Sequence, residues 1–193
     1  MEEKNLSKVF WTEALTGGLV IGVFLFVWDL IGYFFDMPVK ASGLASFVQF
    51  LILAFGIYYF SRRMREFRGP VLGYPYGTAF GFTMGMMLFV GLVYGIGEFF
   101  LQVVIAPEYY SGLREYVLLN SGLDESIVEQ SLELMEESAF SRIMKNPIVF
   151  IFSGIFTMII YGGLVGLIVS AFVKRPADPF GGDNTPSDYT PGM

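Results

Sequence analysis

The chain has 193 residues, 54% of them hydrophobic, a net charge of −6, and neither cysteine nor histidine. Those absences exclude disulfides, thiol and histidine catalysis, and the usual zinc, haem and iron–sulfur ligand sets. Charge is scarce over long blocks, the pattern of a membrane protein, and neither a cofactor nor a metal is expected.

A spanning helix needs about 20 mostly apolar residues. The first stretch that qualifies, 11–35, is too long for a removable signal peptide and lacks its small-residue cleavage site. Within it lies FLFVWDLIGYFF, residues 24–35, where Asp29 sits among apolar neighbours. A charge within a span costs roughly 3 kcal/mol on insertion scales, so Asp29 is a functional candidate by default. Gly18, Gly22 and Asp29 share one helical stripe, with Tyr33 beside it. Glu13 falls near the inner membrane interface, where it is expected to meet water. The second span, 41–61, contributes Gln49 and runs into SRRMREFR, residues 61–68. GYPYGTAFG, residues 73–81, reads as an interfacial aromatic anchor with a helix start at Pro75.

The third span, 76–105, is overlong for a bilayer, which predicts tilt or a bend near Gly95 and Gly97. On it Gly77 and Gly81 align roughly with Gly91, Gly95, Glu98 and Gln102, and GLVYG, residues 91–95, is a literal GxxxG. Glycine faces let helix backbones approach closely, so both acids, each on a glycine face, are expected to point into the bundle.

The loop 106–146 starts near Pro107 and breaks at Gly122, which suits a helix C-terminal cap. Asp124 or Ser126 suits the next N-cap, and Ser126 with Glu129 fits a capping box. Val128, Leu132 and Met135 share one face, and Asp124, Glu125, Glu129, Glu133, Glu136 and Glu137 make the rest acidic. This predicts an amphipathic helical hairpin over the bundle mouth, or an acidic docking surface. The last span, 147–173, carries Ser153, and Tyr161 beside Gly162, Gly163 and Gly166 is expected to close the core. The tail 176–193 is rich in Pro, Gly and Asp and is expected to be mobile.

Lys and Arg near the span ends set the orientation. One side holds Lys4, Lys8, Arg62, Arg63, Arg65, Arg68, Lys174 and Arg175; the other holds Lys40, Arg114, Arg142 and Lys145. Both termini are therefore expected in the cytoplasm. Residues 1–175 form one membrane domain: an all-α, integral membrane four-helix bundle with a helical hairpin between spans three and four.

Counting inward at 1.5 Å per residue puts Asp29 and Glu98 roughly 10–12 Å below the outer surface, with Gln49 and Ser153 at similar depth. Asp29, Gln49, Glu98, Gln102 and Ser153 thus form a candidate ligand or ion site. Gly18, Gly22, Gly77, Gly81, Gly91, Gly95, Gly162 and Gly166 are candidate packing positions. Two readings of the polar residues stand side by side: an interhelical hydrogen-bond cluster that keeps the helices in register, or a watery pocket for a cation, proton or ligand.

The stretches YGTAFGF, IAPEYY, the Gly-Leu-Asp-Glu loop ending in LELMEE, and GGLVGLIVSAFVKR together resemble the bacterial membrane family catalogued as domain of unknown function 4199, over roughly residues 8–175. The resemblance implies a four-helix inner-membrane protein of a double-membraned bacterium with its long loop in the periplasm. It implies one partner class, the polyprenyl-phosphate glycosyltransferases, and it supplies no activity or site residues.

The favoured expectation is a non-enzymatic accessory or scaffold subunit of a cell-envelope enzyme or transporter. The alternative is a small proton- or cation-linked transporter or channel-like protein using Asp29 and Glu98. Expected partners are the lipid bilayer, a larger membrane protein such as an envelope glycosyltransferase or transporter, or a second copy of the chain. Nucleic acid is not among them, because no basic patch suits it.

Overall fold

The computed structural model describes residues 2–35, 43–119, 124, 126–131 and 146–178. Among these residues the chain is helical and has no strand. Helix α1 is Glu2–Phe34, α2 is Gly43–Leu72, α3 is Tyr76–Phe99, α4 is Pro107–Leu119 and α5 is Pro147–Val173. A π-helical turn, Phe100–Ile105, joins α3 to α4, and residues 126–131 form a short helical piece. Among the described residues three helices are long and apolar enough to cross a membrane: Asn5–Phe34, Tyr76–Ile105 and Pro147–Val173. Helices satisfy their own backbone groups, which is what the hydrocarbon interior demands. The outcome is an all-α membrane bundle.

Helix α3 is its axis, packing most extensively on α5 and then on α1. The core joins Ile21 and Leu25 of α1, Leu53, Ile57 and Phe60 of α2, Phe82, Met86, Met87 and Val90 of α3, and Met158, Val165 and Val169 of α5. Most other phenylalanines, including Phe24, Phe55, Phe152, Phe156 and Phe172, face outward.

Glycine decides where helices touch. Gly18 and Gly22 of α1 lie against α3, where an added Cβ would come within 2.3 Å of Phe89 and 2.7 Å of Val93. Gly91 and Gly95 of α3 interlock with Gly154 of α5, whose Cβ would stand 2.6 Å from the Gly95 Cα. Gly162 and Gly166 accept Met87 and Thr83 in the same way. Gly77 and Gly81 do not pack: nothing stands within 4 Å of a Cβ at either.

Other expectations are corrected. Helix α2 runs on beyond its apolar stretch, through the basic run to Leu72, broken only at Gly69, where φ is 70°. The third span is α-helical through Gly95 and Gly97, and its irregularity is the later π turn, closed by the Ala106 N–H donating to the Leu101 carbonyl over 2.9 Å. Gly97 serves instead to seat Phe26. The helix start beside Pro75 is present, but Tyr74 is fully buried core and not an interfacial anchor. Tyr161 is 39% exposed and does not close the core, since the packed stripe of α5 runs through Gly154, Met158, Gly162 and Gly166. Helix α1 also extends ahead of its apolar stretch, from Glu2.

The start of the tail is also held. Tyr74 and Arg175 exchange backbone hydrogen bonds of 2.7 and 2.8 Å, and the Asp178 N–H donates to the Pro70 carbonyl over 3.0 Å. This strap crosses Gly73, whose φ is 61° and whose Cβ would meet the Ala177 nitrogen at 2.5 Å. Residues 179–193, Gly122, Glu125 and the acidic face from Leu132 to Glu137 lie outside the described residues. The Asp124 carbonyl accepts from the Ile127 and Val128 N–H groups, as a helix start at that point requires.

Candidate functional site

Asp29 and Glu98 reach the bundle interior for the same reason. Each lies seven residues after a packed glycine, Gly22 or Gly91, and seven residues return a helix to nearly the same face. Asp29 is 3% exposed and Glu98 6%. A carboxylate out of water needs hydrogen-bond donors around it. Gln49 of α2 donates from Nε2 to Asp29 Oδ1 over 2.8 Å. Gln102, one turn beyond Glu98, donates from Nε2 to Glu98 Oε2. Tyr94, one turn before Glu98, lines the same cavity wall as Gln49 and Glu98. Gln49 thus ties Asp29 to the cavity that Glu98 lines.

Helix α4 covers this layer. Leu101, Ala106 and Tyr110 form a second apolar cluster with Phe26, Leu30 and Tyr33 of α1. Burial pushes the Tyr110 hydroxyl above the usual tyrosine range, and the Glu98 and Asp29 charges push it further.

Beside the acids is a cavity of about 370 Å³ between α2, α3 and α5, lined by Ser46, Gln49, Tyr94, Gly95, Glu98, Gln102, Phe150, Ser153, Gly154 and Thr157. Of the five residues singled out from sequence, four share this lining. Asp29 does not line it and connects through Gln49. Ser46, Ser153 and Thr157 are exposed at its mouth.

Sequence reasoning missed Tyr94, Ser46, Thr157 and Gly154. Signals existed for three of them. Tyr94 stands four residues before Glu98, Thr157 four after Ser153, and Gly154 continues the four-residue stripe of Gly162 and Gly166. Glu13 was misplaced: it is 7% exposed and ion-paired to Arg63 at 3.0 Å. The helical continuation of α2 beyond residue 61 brings that guanidinium over it.

Residues 16–175 match the family described as "Protein of unknown function (DUF4199)". No curated protein and no solved structure matches the chain.

Proposed function

The chain belongs to the DUF4199 family, and we propose that it is a non-enzymatic accessory or scaffold subunit of a cell-envelope enzyme or transporter. In this reading it lies in a bacterial inner membrane, α2 is a fourth span, both termini are cytoplasmic and α4 lies in the periplasm. One observation carries the choice of a non-conducting role. One to about three turns beneath the polar layer, Leu25, Leu53, Ile57, Met86, Met87 and Val90 are each at most 2% exposed. They seal the bundle with apolar side chains, so a polar path from face to face is lacking among the described residues. Mild-detergent purification after crosslinking in cells is expected to recover a stoichiometric membrane partner. Repeated recovery of a lone monomer overturns the proposal.

A second reading has its own support. Two buried carboxylates, Glu98 on the cavity wall and Asp29 behind Gln49, suit a proton or a cation, as in a proton- or cation-linked transporter. It expects pH-dependent flux in liposomes that falls in Asp29→Asn and Glu98→Gln. Vesicles containing the protein that stay as tight as empty ones would eliminate it.

A further inference from the structure

A glutamine amide has two donors on its nitrogen and one acceptor oxygen. In Gln49 the nitrogen is turned to Asp29, and in Gln102 it is turned to Glu98. Reversing either amide would set oxygen against carboxylate oxygen, so charge fixes both orientations. Both side chains line the cavity, where each amide keeps its carbonyl oxygen and one further N–H for an occupant. Glu98 adds a carboxylate, and Ser46, Ser153 and Thr157 add hydroxyls. None of the ten lining residues is Lys or Arg. The lining therefore holds one carboxylate, no basic group and several acceptors, which suits a cation that donates hydrogen bonds.

Size and surroundings narrow the class. About 370 Å³ is far more than a bare metal ion fills, since one water takes about 30 Å³. Divalent ions favour several carboxylates, and among the described residues no three acids converge. Tyr94 and Phe150 supply aromatic surface, which is favourable beside an organic cation. The mouth lies on the apolar flank: Ser153 and Thr157 alternate along α5 with Phe152 and Phe156, which are 68% and 67% exposed. A ligand can therefore enter sideways, from between acyl chains.

We propose that this cavity binds a primary ammonium group, presented by the amine headgroup of a membrane lipid or by a small free amine. Its N–H donors meet Glu98 and the oxygens of Gln49 and Gln102. A trimethylated ammonium has no N–H to give, and an anionic headgroup is repelled. This goes beyond the accessory role and needs only the cavity, so a missing partner protein does not affect it.

The test is native mass spectrometry of the full chain in detergent, offered phosphatidylethanolamine, phosphatidylcholine or phosphatidylglycerol with identical acyl chains. Phosphatidylethanolamine is expected to bind at least about tenfold more tightly than either, the scale of charge-assisted hydrogen bonds. Glu98→Gln should lower that binding by about tenfold or more, whereas Gly77→Ala, far from the cavity, should not. Ser153→Leu fills the mouth and leaves the acid in place, so it decides the matter if Glu98→Gln fails to fold. Displacement by millimolar ethanolamine identifies a free amine as a competent source; retention of the lipid identifies the headgroup. Equal binding of phosphatidylcholine, or full binding by a folded Glu98→Gln or Ser153→Leu protein, overturns the proposal.

Discussion

At the scale of single residues, hydrogen-bond satisfaction decides what a substitution does. Asp29→Asn keeps an oxygen for the Gln49 amide, so its melting temperature in detergent is expected to stay close to that of the parent chain. Asp29→Leu strands the Gln49 donor, and a buried group left unpaired costs about 1–3 kcal/mol. A clear drop in melting temperature is expected for the leucine variant only, and equal melts would refute the network. Tyr110 predicts a pH effect. Its folded-state pKa is raised, by burial first and by the Glu98 and Asp29 charges next. The folded state thus holds that proton more tightly than the unfolded one, whose tyrosines titrate near about 10. The stability this contributes is fully present below about pH 10 and is lost as pH rises beyond it. Tyr110→Phe should flatten the alkaline loss seen in melts between neutral pH and about pH 11. The acids themselves were legible, because a charge in an apolar run on a glycine face has few alternatives. Tyr94 was not, because a membrane tyrosine ordinarily signals an interface. Glu13 misled because its depth was judged on α1 alone, while its partner Arg63 comes from a continuation of α2 that reads equally well as a loop.

At the scale of helices, close approach separates glycines that matter from those that do not. Gly154→Leu would force a side chain into the Gly91–Gly95 backbone and should open the α3–α5 contact, detected as a collapsed or strongly broadened melt. Gly77→Ala and Gly81→Ala have open space around them and replace a poor helix former by the best one. They should leave stability unchanged or raise it by up to about 1 kcal/mol each. If Gly77→Ala destabilises while Gly154→Leu does not, the interface has been assigned to the wrong face. The existence of the helices was plain from apolar length alone. Their edges were not: the last turns of α2 are polar, and no hydrophobic signal marks them as helix. The π turn was invisible too, since FLQVVI contains neither proline nor glycine to betray an altered pitch.

At the scale of the molecule, the two ends of the bundle are closed by different means. One is covered by α4 and its aromatic cluster, the other by the strap from Lys174 to Asp178 laid across Gly73. Gly73→Ala places a β-carbon at positive φ, which costs about 1–2 kcal/mol for an L-residue, and drives it into Ala177. The strap should lift, and trypsin should cut at Lys174 and Arg175 several times faster than in the parent chain, with the helices otherwise protected. An unchanged cutting rate would mean the strap is not held there. The tail composition hides this, because a Pro- and Asp-rich sequence gives no hint that a backbone bridge anchors its first three residues. The turn from Phe100 to Ile105 has a consequence of another kind. Below it the chain is indexed to the bundle; above it, to the cap. Deleting one residue within FLQVVI would remove the wide turn that the Ala106 N–H closes on Leu101 and shorten the link to the cap, shifting Tyr110 relative to the acid layer while leaving each half internally intact. The register between floor and lid is therefore carried by a single surplus residue, a gear tooth that a one-codon deletion would strip.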